Sequence, residues 1–311
     1  MPLALAANGT LTYVPGAVIS PPRQLVWVDR DGIETPVAEA RRYGQPRISP
    51  DGSRIALTIE DKSWDLWALE LDRGTLSLLS FEPATQFGAV WAPSGDQIIY
   101  SQDDPPYNIY RRLADGTSKP EQLLGTQVDN EALSISPDGK FLLYSHSDKG
   151  ASYDLRIMPL EESGDPRSWV ETPFSEYFGS FSPDGDWVTF TSDETGSNQV
   201  YVQRFPDGGR KLQVSLAGGS RPRWSRDGRE LFFRNGPRMM AVEVSTGERF
   251  TAGQPRELFS GSYMASSNKW DYDVAPDGRF IMIKTPDEDK PREISVVLNW
   301  FQELEELVPT N

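Results

Sequence analysis

Cysteine is absent from this chain, and histidine occurs once, at His146. The first absence excludes disulfides, thiolate metal centres and a cysteine nucleophile. The second excludes a histidine-rich metal centre and leaves one residue for the commonest general base. Basic residues are scarce too: 31 Lys and Arg stand against 46 Asp and Glu, a formal net charge of −15. That balance argues against nucleic acid, because phosphate binding needs a basic surface to release counterions. It argues equally against docking on anionic lipid, and it is compatible with a basic partner. Long apolar runs are also missing. No stretch approaches the roughly 18 residues that would span a bilayer, so no membrane insertion is expected of this segment. Met1–Ala7 is too short, and lacks the basic start, to read as a signal peptide.

What the chain does have is glycine and proline, 26 and 25 residues, and aromatic residues at 11%. That mixture suits many short strands joined by tight turns. The turns are themselves repeated. Ser49-Pro50-Asp51-Gly52 recurs as Ala92-Pro93-Ser94-Gly95, Ser136-Pro137-Asp138-Gly139, Ser182-Pro183-Asp184-Gly185, Ser225-Arg226-Asp227-Gly228 and Ala275-Pro276-Asp277-Gly278, with a worn copy at Ala7-Asn8-Gly9. The closing glycines are 43 to 50 residues apart, and a period of roughly 40–50 residues with several strands per unit predicts a β-propeller.

One unit shows the template. Pro46–Ile48 is a short first strand, and Ser-Pro-Asp-Gly forms the hairpin: proline sets φ, aspartate caps the turn and glycine takes the left-handed conformation. Ile55–Ile59 and Asp65–Leu71 alternate as second and third strands, and Leu76–Leu79 closes the unit. Applied along the chain, the template yields seven first, second and third strands but six fourth strands. The fold class predicted is therefore all-β, a propeller of four-stranded antiparallel blades, with seven blades favoured and six the alternative. In a consecutive count Leu3–Ala6, Leu11–Val14, Leu25–Val28 and Glu34–Val37 fall in the first blade and the last blade lacks its outer strand; Leu3–Ala6 is either the first strand of its own blade or the strand that closes the ring. Propellers often close by borrowing a strand from the opposite terminus. The domain expectation is one propeller over 1–298. Residues 299–311, where Trp300, Phe301, Leu304, Leu307 and Val308 recur at helical spacing, form a short amphipathic helix packed on it.

Chemistry is harder to find. Ser145-His146-Ser147-Asp148 is not a triad, because neighbouring strand residues point to opposite faces, and His146 reads as structural. The connections from second to third strand and from fourth to the next first strand emerge on one face. The former carry Glu60-Asp61, Asp103-Asp104, Asp148, Asp193-Glu194 and Asp287-Glu288-Asp289. The latter carry Tyr43, Gln86, Phe87, Asp129, Asn130, Glu131, Tyr177, Phe178, Arg221, Lys269 and Trp270. An aromatic centre inside an acidic rim is the composition of a protein-binding face, although aromatics that only fill the gaps between blades would give the same pattern. No cofactor is expected. A hard cation such as Ca²⁺ near Asp129 and Glu131 is the one metal reading left open.

The short strand, Ser-Pro-Asp-Gly, hydrophobic strand and acidic loop, followed by Asp65-Leu66-Trp67 or Gln199-Val200-Tyr201-Val202, resemble the WD40-like (PD40) repeats of the TolB propeller family over nearly the whole chain. Leu25-Val26-Trp27-Val28-Asp29-Arg30-Asp31-Gly32 and Val297-Leu298-Asn299-Trp300-Phe301 look like segments in the C-terminal propellers of bacterial eukaryotic-like serine/threonine kinases. The resemblance implies a non-catalytic sensor or interaction domain, bacterial and extracytoplasmic (periplasmic or cell surface). No kinase motif and no Gly-x-Ser-x-Gly elbow is present. The reading is a monomeric binding module for a protein, a peptide or a small ligand. Its rival is a propeller hydrolase or lyase that acts on a sugar, lactone or ester through channel-facing carboxylates.

Overall fold

The computed structural model describes residues 3–13, 21–61, 63–103, 106–147, 152–160, 164–266, 269–286, 295–301 and 304. The chain forms two compact units, residues 22–285 and the terminal segments 1–21 with 286–311. Among the described residues there are 28 strands. All 27 from the repeat template are present, and the additional one is the two-residue Thr251–Ala252, paired with the end of Arg238–Ser245.

Each Pro-Asp-Gly turn is built by the same local chemistry. In the first full copy Gly52, at φ +76°, donates its amide to Ser49 O at 2.9 Å. Ser49 Oγ donates to Asp51 Oδ1 at 2.6 Å and accepts the Arg54 amide at 2.9 Å, while Asp51 Oδ1 accepts the Ser53 amide at 3.1 Å. These bonds hold the Asp51 carboxyl down at about 2, as several donors to one carboxylate should. The copies at 136, 182 and 225 repeat the serine bridge. Position 226 is the only one of the six full copies where arginine replaces proline or its equivalent in the second turn position.

Six sheets make up 22–285, and their cores show that they close a ring. The inner strands are Tyr43–Ile48, Thr85–Trp91, Asp129–Ile135, Glu176–Phe181, Ser220–Trp224 and Tyr272–Val274. Each packs against the next, and the last packs against the first. Six apolar clusters correspond to the six gaps between neighbouring sheets. Ile98 and Tyr100, for example, bury against Ala56 and Leu66 of the preceding sheet, and Val26 and Phe280 bury against Phe232 and Met239. Fully burying one such side chain contributes about 1.5–3 kcal/mol, so the gaps carry most of the stability.

One pairing differs from the consecutive reading. Gln24–Val28 does not pair with Leu11–Tyr13. It pairs antiparallel with Phe280–Lys284, with Val28 opposite Phe280 and Gln24 opposite Lys284, and Glu34–Pro36 forms the outer edge of that sheet. The last sheet of the ring is therefore complete. The three-stranded sheet is the terminal one, in which Leu3–Leu5, Leu11–Tyr13 and Ser295–Val297 pair in that order. The physical reason is edge protection: Gln24–Val28 covers the side of Phe280–Lys284 that would otherwise present unpaired backbone groups. Seven counted turns thus match seven sheets. Six of them close the ring of 22–285, the arrangement given above as the alternative count.

In the terminal unit Ala7-Asn8-Gly9 does form the hairpin of the other copies. Gly9, at φ +80°, donates to Ala6 O, and its carbonyl accepts the Trp300 amide at 2.7 Å. Trp300, Phe301 and Leu304 are helical. Leu307 and Val308, and most of the rest of the expected helix, lie outside the described residues, as do Asp104, Asp148 and Asp287–Asp289 of the acidic loops.

Candidate binding face

The inner strands share an irregularity at the end where the loops emerge. Five of them carry a β-bulge there, and at four of the bulges one residue is left-handed: Gln45 (φ 51°), Gly88 (φ 63°), Phe178 (φ 56°) and Arg221 (φ 57°). Counted back from the turn motif these four occupy the same repeat position. Three are not glycine, at a cost of about 1–2 kcal/mol each, so the surroundings must hold them. A bulge re-aims side chains and is concentrated near functional ends of strands.

At this end the re-aimed side chains make one connected group. The Phe178 ring packs on Trp270 at 5.0 Å, and the Arg221 guanidinium lies 4.8 Å from the Phe178 ring centre. Arg221 Nε donates to Lys269 O at 3.0 Å and pairs with Asp271 Oδ2 at 3.2 Å. Lys269 Nζ sits 2.9 Å from Glu131 Oε2 and 3.6 Å from the Phe87 ring centre. Phe87, Phe178, Trp270 and Arg221 are buried, whereas Glu131 and Lys269 are partly exposed. Trp270 is also flanked by Arg47 at 4.9 Å and Arg223 at 3.3 Å.

Three tyrosines form a more accessible row beside this group. Tyr107 packs edge-on against Phe87 at 5.0 Å, Tyr153 against Tyr177 at 6.4 Å, and Tyr177 against Phe178 at 5.0 Å. Tyr153 is 37% exposed. Tyr177 Oη donates to Asn198 Oδ1 at 2.5 Å. Burial raises the Tyr107 phenol, helped by Asp103 and Asp129; burial and Asp193 do the same for Tyr177. Both phenols therefore remain neutral hydrogen-bond donors at any ordinary pH.

Of the eleven residues singled out in the sequence, seven join this assembly: Phe87, Glu131, Tyr177, Phe178, Arg221, Lys269 and Trp270. Of the other four, three lie outside it and Asp129 borders it. Tyr43 is fully buried in the gap between two sheets, its hydroxyl on Glu39 O at 2.7 Å. Gln86 is fully buried, and its amide group makes no hydrogen bond. Asn130 holds its own loop through Thr126 and Val128 and faces His146 Nδ1 at 2.9 Å. Asp129 Oδ1 accepts the Tyr107 amide at 3.0 Å.

Sequence reasoning missed Tyr107 and Tyr153, although a signal existed. Each directly precedes a third strand, as Asn198 does one unit later. It also missed Arg47, Arg223 and Asp273, charged residues on the inner strands. Three carboxylates around Trp270 are paired with cations: Glu131 with Lys269, Asp271 with Arg221 and Arg234, and Asp273 with Arg223 at 3.5 Å. Among the described residues no group of three or more acidic or histidine side chains is placed to hold a metal ion.

No family model matches the chain. Among curated proteins it is similar to an uncharacterized protein of Agrobacterium fabrum, 27% identical in a 203-residue alignment that covers 60% of this chain and 67% of that protein. Among solved structures it is similar to a putative TolB from Agrobacterium tumefaciens, with a TM-score of 0.71 at 20% identity over 86% of this chain and 99% of that one. It is also similar to an oligogalacturonate lyase in complex with manganese, with a TM-score of 0.57 at 15% identity over 90% and 82% of the two chains. The fold is a TolB-like β-propeller, and propellers of this kind serve both binding proteins and enzymes.

Proposed function

We propose that this chain is a binding propeller whose loop face, the row Tyr107–Tyr153–Tyr177 with Lys269 and Glu131, takes an extended protein or peptide segment. The observation that carries the reading is the row itself: three accessible aromatic rings, held by a buried layer beneath and with neutral hydroxyls. Rigid aromatics of this kind supply most of the energy of protein recognition. Asp103, Asp129 and Asp193 flank the tyrosines, so a segment with basic residues fits best. The likeness to a TolB supports a protein partner and an extracytoplasmic location. The sensor role in a longer kinase belongs to the same proposal.

A peptide-display selection against the whole chain, followed by calorimetry, tests it. Tyr107→Ala, Tyr153→Ala and Tyr177→Ala are expected to weaken selected peptides by tenfold or more each, as truncation of an anchor costs about 2 kcal/mol or more. Selected peptides that bind all three variants unchanged would refute the face. Turnover of an acidic sugar that Glu131→Gln abolishes would favour the lyase reading instead.

A further inference from the structure

The six inner strands of the ring enclose a central channel, and its end opposite the loops, where the turns lie, is built differently. A cavity of about 340 Å³ opens there, bordered by Pro50, Pro93, Pro137 and Pro183 of four successive turns. The ionisable residues that line it are Arg47, Arg223, Arg226 and Asp273. Three cations against one anion is an unusual concentration in a chain whose net charge is −15. Arg226 stands where the other turns place proline, and its Nη2 reaches Ser49 O, on a different sheet of the ring, at 3.3 Å.

Two of the three guanidiniums are built in. Arg47 and Arg223 are each 6% exposed. Arg47 is anchored by Ala89 O at 3.2 Å and Leu133 O at 2.7 Å. Arg223 is packed on Trp270 and lies near Asp273, yet its Nε and Nη2 make no hydrogen bond. Asp273 spends its other oxygen on the Ile48 amide at 2.9 Å. A buried cation with free donors costs several kcal/mol unless an anion answers it. Burial works against the Arg47 charge, Asp273 supports it, Arg226 opposes it again, and Glu131, which does not line the cavity, supports it more weakly. The site is therefore short of negative charge.

We infer that the turn-side mouth of the channel is a binding site for a compact, multivalent oxyanion, with Arg47 and Arg223 as its fixed wall and Arg226 as its gatekeeping contact. Guanidinium groups pair oxyanions through parallel charge-assisted hydrogen bonds, and the volume suits a small organic anion. Phosphate esters and polycarboxylates share this chemistry.

Inorganic phosphate and citrate are the probes, in calorimetry and thermal unfolding of the intact chain, with sodium chloride at matched ionic strength as the control. The expected result is saturable binding of at least one probe and a rise in Tm that chloride does not reproduce. Phosphate alone assigns the site to phosphate esters, and citrate alone assigns it to polycarboxylates. Arg226→Pro restores the turn found in the other copies, so it is expected to fold at least as well as the parent and to bind the active probe roughly tenfold or more weakly. Arg226→Gln gives the same comparison with the backbone unchanged. Saturable binding of neither probe, or affinity equal to the parent's in both variants, overturns the inference.

Discussion

Glu176 opens an inner strand as a carboxylate with no exposed surface. Its Oε1 accepts from Thr172 at 2.8 Å and Ser192 at 3.0 Å, but Oε2 has no hydrogen-bond partner. Burial raises its pKa above the ordinary glutamate value, against the pull of those two hydroxyls and of Lys211. Between the unfolded value, about 4.3, and the raised folded value, the folded chain holds more protons than the unfolded one. Stability then falls as pH rises through that window and levels off above it. Glu176→Gln removes the titration. Its stability relative to the parent is expected to be most favourable at pH 7 and to decline as pH drops toward 4, measured by urea unfolding at both values. A difference that does not change with pH would count against the assignment.

At the scale of the element, the Pro-Asp-Gly hairpin was legible because everything it needs lies within six residues. The bulges were not, because whether Phe178 or Arg221 can occupy a left-handed conformation depends on what lies across the channel. Gly179 makes the same point. A β-carbon there would come within 2.4 Å of Leu143 Cδ2 in the neighbouring sheet, a constraint no local pattern encodes. The seven site residues that converge were found from where loops emerge in a repeat. Tyr107 and Tyr153 needed an alignment of third-strand starts, and Arg47 and Arg223 needed the channel itself. The turns offer a local test. Ser182 is fully buried, its Oγ donating to Asp184 and accepting the buried Trp187 amide at 3.0 Å. Ser182→Ala leaves that amide unpartnered and is expected to cost about 1–3 kcal/mol in chemical denaturation. A loss indistinguishable from zero would mean that the hairpin is held by proline and glycine alone, as the copies with Ala92 and Ala275 suggest it could be.

For the ring as a whole the decisive event is the pairing of Gln24–Val28 with Phe280–Lys284, residues some 250 positions apart. The repeat count placed every strand but left open how the ring closes, because an apolar strand pattern does not name its partner. What selects the partner is closure. Leu25, Val26 and Val28 are buried in that sheet between two apolar clusters, and the Glu34 carboxylate reaches Lys284 at 2.5 Å and Tyr263 at 2.9 Å. A chain without cysteine allows a clean test of this register. Gln24→Cys with Lys284→Cys places two thiols opposite each other, and mild oxidation is expected to join them in the folded protein. Constraining so long a loop should raise unfolding stability by about 2–4 kcal/mol, less the lost Lys284–Glu34 pair, which as a surface contact contributes at most about 1 kcal/mol. Thiol counting and mobility on non-reducing gels read the bond, and unfolding with and without reductant reads its effect. The control pair, Thr12→Cys with Gln24→Cys, follows the consecutive arrangement, and cross-linking of that pair in preference to the first would show that the ring closes by another strand.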